Sequence, residues 1–166
     1  MVQIASYTFD GMVRATWCPT IGNIAQPLLS ELNGGVALEG FITPDGLDIT
    51  PKDASVDTST LKSAVNSAKP GRIDYQVSMT LLRDDSADTA WTTFTRGVVG
   101  FLVVRDNMDS SAAWANGQKV AVYPGTAGIP KKDKVAINKR QTFSTELFMG
   151  GSANQVPNER ATATTG

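Results

Sequence analysis

From Ile73 to Leu81 every odd position is apolar (Ile73, Tyr75, Val77, Met79, Leu81) and every even one is polar (Asp74, Gln76, Ser78, Thr80). A period of two is the mark of a strand with one covered face and one wet face. Three more signals follow at once. Asp84, Asp85 and Ser86 offer N-cap oxygens. Ala87, Ala90, Trp91 and Phe94 then recur at helical spacing, and Gly97 stands where a left-handed helix end belongs. Val98 to Val104 is apolar throughout except for Gly100, which predicts a strand covered on both faces. The stretch Ile73–Arg105 therefore predicts strand, short helix and strand sharing one core.

The remainder is consistent with a mainly β chain. The 166 residues make a single domain of ordinary size, 1–166. Lys and Arg number 15 and Asp and Glu 16, a net charge of −1, which does not mark a duplex-binding surface. Histidine is absent and Cys18 is the single cysteine, so zinc sites built on Cys and His and a disulfide within the chain are excluded. No EF-hand spacing occurs, and no metal or cofactor is expected. Cys18 reads as a small buried thiol. The start carries no secretory pattern, and no apolar run approaches the roughly 20 residues that span a bilayer. The expectation is a soluble protein made in a cytoplasm.

In chain order, Asp10-Gly11 signals a turn, and Val13, Ala15 and Trp17 alternate with polar neighbours. Residues 1–18 read as an N-terminal arm and first strand. Pro27 to Asn33 predicts one or two helical turns stopped by Gly34. Val36–Thr43 is a strand, Thr43-Pro44-Asp45-Gly46 a turn, and Leu47–Pro51 a short strand. Residues 52–71 lose all pattern and read as a long loop, either mobile or shaped by a neighbouring subunit. Lys119–Tyr123 is a strand closed by Pro124-Gly125, a short strand is expected at Lys134–Ile137, and Gln141–Met149 is the last strand. Residues 152–166 are polar and read as a C-terminal tail. Short strands between turn signals with one flanking α-helix predict a β-sandwich or barrel.

Charge is unevenly spread. Residues 1–60 hold two basic residues against seven acidic, and residues 119–140 six basic against Asp133 alone. Such blocks occur as plain solvated faces. They also suit a head-to-tail contact between copies, which closes into rings or runs into filaments.

Catalytic patterns are missing. Serine and cysteine triads need an imidazole that the chain lacks. Lys62-Ser63 and Ser67-Ala68-Lys69 lie in the patternless loop, where no dry pocket would activate a lysine. Asp84/Asp85 and Asp45/Asp48 flank turns rather than a cleft. Glycine-rich Asn33-Gly34-Gly35 and Met149-Gly150-Gly151 lack the Lys-Ser/Thr of a phosphate loop. Trp91 belongs to the helix's apolar stripe, while Trp17 and Trp114 are open to a sugar-platform reading.

Three stretches carry a family resemblance: Pro27-Leu28-Leu29-Ser30-Glu31-Leu32-Asn33-Gly34-Gly35 running into Val36-Ala37-Leu38-Glu39; Arg96-Gly97-Val98-Val99-Gly100-Phe101-Leu102-Val103-Val104-Arg105 after a small helix; and Lys139-Arg140-Gln141-Thr142-Phe143 opening the final strand. In this order, with the long loop between the first two, the chain from Thr16 to Met149 resembles the major tail (tail tube) proteins of long-tailed bacteriophages, those infecting actinobacteria in particular. The resemblance implies a β-sandwich with a flanking helix, a ring-bridging loop and extended terminal arms. It implies a structural virion protein, not an enzyme, that forms hexameric rings stacked into a hollow tube conducting DNA. Implied partners are other copies of the chain, a tape-measure protein, tail tip and terminator proteins, and genomic DNA passing without sequence-specific contact. Interface candidates are then Asp53, Asp57, Lys62 and Lys69 in the loop and Lys131, Lys132 and Lys134 in the basic block. Lumen candidates are Asp74, Gln76, Ser78 and Thr80, since a wall poor in Lys and Arg lets DNA slide. The alternatives are a head-tail joining, tail terminator or decoration protein, and, from another class, a carbohydrate-binding β-sandwich using Trp17 or Trp114.

Overall fold

The alternating run is the inner half of a much longer strand. In the computed structural model, which describes residues 5–6, 8–150 and 156–166, the strands are β1 Arg14–Cys18, β2 Val36–Ala37, β3 Ile42–Asp57, β4 Ala68–Leu82, β5 Val99–Arg105, β6 Lys119–Ala127, β7 Lys131–Lys132, β8 Thr142–Phe148 and β9 Asn158–Thr162. Two short helices accompany them, α1 Leu29–Asn33 and α2 Thr89–Thr93. The strands form one antiparallel sheet in the order β2-β1-β5-β6-β8-β4-β3, with β9 beside the start of β6 and β7 beside β8. Between β6 and β8 only Thr126↔Phe148 and Ala127↔Leu147 pair. There the sheet folds over into two layers, giving the expected mainly β, sandwich-like fold.

The core between the layers joins Ala15, Trp17, Leu102 and Tyr123 of one layer to Val77, Met79, Leu81, Phe143 and Leu147 of the other, with Ala90 and Phe94 inserted from the α2 region. Trp17 meets Phe94 edge-on, ring centroids 5.1 Å apart. A second cluster lies behind β5 and β6, where Val103, Val120 and Val122 meet Leu32 of α1, Trp114, Ala161 and Ala163. Successive residues of β5 thus serve opposite cores: Leu102 faces the first and Val103 the second, both fully buried. Fully burying such a side chain stabilises by roughly 1.5–3 kcal/mol, so the two clusters carry the stability.

Several boundaries differ from expectation. Thr43–Gly46 does not reverse the chain. It is a bulge within β3, between the pairs Ile42↔Leu81 and Leu47↔Met79. A Cβ on Gly46 would stand 2.5 Å from the Thr80 carbonyl oxygen, so glycine is required there. The expected cap at Asp84–Ser86 moves to Asp88, because Asp84 accepts the Ser86 amide in a local turn. Asp88 has left-handed φ (48°), and its carboxylate is held by Arg83 rather than by helix amides. Gly97 is left-handed as expected (φ 89°), though the helix stops earlier. Strand β6 runs through Pro124 instead of ending there. Pro124 falls between the stretch paired to β9 and the stretch paired to β8, where a missing N–H costs no ladder bond. The short strand expected at Lys134–Ile137 lies instead at Lys131–Lys132.

The two ends differ as well. The turn at Asp10-Gly11 is present, with Met12 N–H donating to Phe9 O (3.1 Å), and β1 follows it. Residues 1–4 and 7 of the expected arm lie outside the described residues. The expected C-terminal tail 152–166 is a structural element from Asn158 onward. β9 pairs with β6, Ala161 and Ala163 are fully buried, and Leu28 bridges to Thr164. Residues 152–155 lie outside the described set.

Candidate assembly surfaces

The loop expected over 52–71 is largely strand. β3 and β4 pair out to Asp57↔Ala68, with one irregularity between Asp53 and Ser55. Beyond Ile73 the hairpin leaves the body with both faces wet, and from 54 to 72 every residue but Ser59 is exposed. Alternation is not needed on a ribbon without a covered face, which explains why the sequence showed no period there. The turn is tied by its own hydroxyls and carboxylate. Thr58 N–H donates to Ser67 O (2.9 Å), Ser59 N–H to Asp57 Oδ1 (2.8 Å) and Thr60 N–H to Ser63 Oγ (2.9 Å). The Ser59 bonds hold the Asp57 carboxyl below its ordinary pKa. Of the interface candidates, Asp53, Asp57, Lys62 and Lys69 all ride on this hairpin. Its tip bares Leu61 and Val65.

The remaining candidates stand at the other end of β4. Lys131 pairs with Ser144, which pairs with Thr80. From Thr80 to Ala68 is about 40 Å along a strand at ~3.3 Å per residue. The structure thus sets the basic residues well apart along β4 from the hairpin tip. Lys132 also has an internal role, since its Nζ lies 5.2 Å from the Trp91 ring centre. Beyond Lys132 the chain enters a closed loop. Its neck is Asp133 and Thr142: Asp133 N–H donates to Thr142 O (3.1 Å), and the Thr142 hydroxyl donates to the Asp133 carboxylate. Its tip is a turn with left-handed Asn138 (φ 62°) and Lys139 N–H donating to Ala136 O (3.4 Å). Lys134 is exposed on this loop, as are Val135 (81%) and Ile137 (91%).

The lumen candidates share one face, the outward face of β4. Cross-strand partners extend it: Lys52 opposite Asp74, Thr50 opposite Gln76, Asp48 and Glu146 flanking Ser78, and Ser144 opposite Thr80. Asp48, Asp74 and Glu146 stand against Lys52 and Lys131, so this face is polar and nearly neutral. Arg83, just past the end of the same strand, is drawn aside by Asp88 and by the Trp91 ring, 4.6 Å from its guanidinium carbon.

Sequence reading missed two sites. The first is a cleft of about 680 Å³ at the open side of the sandwich. Val13, Ile42, Leu47, Ile49 and Val104 make its floor, and Glu39, Asp106, Glu159 and Lys119 its charged rim. Tyr123 donates from its hydroxyl to Glu159 (2.8 Å). Glu39 lies 3.8 Å from Arg14, and its second carboxylate oxygen is buried without a hydrogen bond. The second is the support of the loop between β5 and β6. Arg105, 1% exposed, donates to the carbonyls of Asp109, Ala112 and Ala113 and to Gln118. Arg14 and Arg105 each approach the Trp114 ring to 5.0 Å. Burial, then repulsion from Arg14, presses the Arg105 pKa downward. Trp17 and Trp114, expected as possible sugar platforms, are 2% and 5% exposed. Neither ring presents a face to solvent, and the carbohydrate-binding reading built on them is overturned.

Alkaline pH gives a direct check on the cores. Burial, reinforced by Glu31, pushes the Cys18 thiol up from 9.0 to about 12. Burial, and then Glu159, raises Tyr123 as well. A raised folded pKa gives stability that is full below the unfolded value and is lost as pH climbs through the folded one. Unfolding free energy is therefore expected to fall from pH 9 to 12 through Cys18, joined above pH 10 by Tyr123, by up to about 1.4 kcal/mol per pH unit for each group. Cys18→Ala should flatten that slope in urea titrations; an unchanged slope contradicts the buried thiol.

A two-layered sandwich, a hairpin standing off its core and a polar sheet face thus make up the described structure. Its fold is shared with a chain of the anti-feeding prophage (AFP) baseplate, solved by cryo-electron microscopy, with a TM-score of 0.51 over 99% of each chain at 8% identity. A family described as phage tail tube protein matches residues 1–158, and the chain belongs to that family. It is thus a structural protein of the phage tail, a virion component and not an enzyme. No curated protein matches it in sequence. No helix among the described residues is long and apolar enough to cross a membrane.

Proposed function

We propose that this chain is the repeating subunit of the tail tube: hexameric rings, closed by identical lateral contacts, stack into a hollow conduit for DNA. The β3–β4 hairpin carries the reading. It buries no core of its own and exposes Leu61 and Val65 at its tip. Among the described residues β3 pairs with no strand but β4, so its outer edge is open there. A long open edge invites pairing with another chain, and in a ring that pairing is productive. The hairpin, with Asp53, Asp57, Lys62 and Lys69, reaches toward the next ring, while Lys131, Lys132 and Lys134 meet acidic surface of an adjacent copy. The nearly neutral face of Asp74, Gln76, Ser78 and Thr80 lines the lumen, where few cations would hold phosphates. A tape-measure protein fills the lumen during assembly, tip and terminator proteins cap the tube, and the subunits are made in the host cytoplasm.

Negative-stain electron microscopy of the purified chain tests this. Hollow tubes, or rings that stack with rising concentration, are expected. Rings that never stack would instead mark a terminator or joining protein. A monomer at every concentration would end the proposal.

A further inference from the structure

Among the described residues, the most exposed large aliphatic side chains outside the hairpin sit on a loop that is already shaped. The neck at Asp133 and Thr142 and the turn at Ala136–Lys139 fix it, yet Val135 and Ile137 point to water. A preformed loop that bares two β-branched residues has its contacts elsewhere. Its charge is one-sided. Asp133 is engaged at the neck, and Lys134, Lys139 and Arg140 follow with no acid among them.

The cleft at the open side of the sandwich has the opposite character. Its floor is aliphatic, and its rim holds Glu39, Asp106 and Glu159 against Lys119. Glu39 leaves 25% of its side chain open at this rim, beside Arg14. Topology sets the two features apart. In the layer β3-β4-β8-β7 the cleft wall is β3, at one lateral edge, and the loop leaves β7, at the other.

We propose that the 133–142 loop of one subunit seats Val135 and Ile137 in the acid-rimmed cleft of the next copy, with Lys134, Lys139 and Arg140 facing Glu39 and Glu159. The two surfaces are different and lie on opposite edges, so the contact is head-to-tail. Repeated, it closes a ring or winds a filament. It rests on the homopolymer reading above and names the elements that would make that reading's lateral contact. Because the charges lie on the rim, association should weaken as salt rises.

The test uses two single variants of the full chain, Ile137→Cys and Leu47→Cys, mixed and mildly oxidised. The native Cys18 is fully buried and does not compete. The expected product is a covalent dimer with one chain of each kind, in excess over same-variant dimers by mass spectrometry. No covalent product, or same-variant dimers alone, overturns the proposal. A second measurement uses Val135→Asp combined with Ile137→Asp. Both positions are solvated, so the melting temperature should hold while rings and tubes are lost in micrographs. Tubes of ordinary appearance from that variant also overturn it. The two readings separate cleanly: native chains that polymerise without the mixed cross-link retain the tube and lose this contact. The mixed cross-link from native-like chains that never stack retains the contact and removes the tube.

Discussion

A chain in which residues 54–72 are replaced by an Asn-Gly dipeptide is expected to fold as well as the parent and to form no tubes. Asp53 and Ile73 are cross-strand partners, so a two-residue turn can close the ladder between them. The excised residues are exposed except Ser59, and none joins either core. Surface changes away from cores, caps and strained backbone stay near 0.5 kcal/mol, so a loss below about 1 kcal/mol is expected. Assembly, in contrast, should disappear, because the open outer part of β3 and the apolar tip go together. Thermal melting by circular dichroism and micrographs of the same preparation check the two halves separately. An unfolded product would show that the hairpin supports the core after all. Normal tubes would show that it bridges nothing.

The largest expected effect on stability comes from Arg105→Ala. The guanidinium is buried and supplies hydrogen bonds to three carbonyls and one side-chain amide, holding Asp109, Ala112 and Ala113 in place. Truncation deletes all four bonds, although Ala112 O keeps its bond from Arg14 and Ala113 O its bond from Gln118, and it removes one of the two cations against Trp114. A hydrogen bond from a charged donor is worth about 1.5–3 kcal/mol, and with two of the carbonyls still partnered a loss of about 3 kcal/mol is expected. Arg105→Lys should recover only part of it, since an ammonium cannot span acceptors that a planar fork reaches. Urea unfolding measures both. A cost under about 1 kcal/mol for the alanine variant would mean that Trp114 and its loop are held by packing alone.

What could be read from the residues follows from where each has a covered face. The inner half of β4 alternates because Val77, Met79 and Leu81 are buried while Ser78 and Thr80 are not. β5 reads as doubly covered because Leu102 and Val103 serve different cores. The hairpin escaped because neither face is covered, so no period was imposed on it. β9 escaped for another reason: it docks through Ala161, with Ala163 just beyond, side chains too small to stand out among polar neighbours. Pro124 and the Pro44-Asp45-Gly46 run looked like chain reversals because local turn chemistry cannot reveal whether a ladder continues past it. The cleft joins Val13, Leu47, Val104 and Glu159, which no local window brings together. The separation of acidic and basic surface was visible as composition. That Lys131 lies about 40 Å along the sheet from the hairpin tip needed the register of three strands.

Strand β6 joins the two layers, pairing with β5 on one side and with β9 and β8 on the other. It turns Tyr123 into one core and Val122 into the other, and its free edge is shared in succession by β9 and β8. Neither layer can be peeled away while the other keeps its shape. A pull on either layer is therefore shared by both through this one strand.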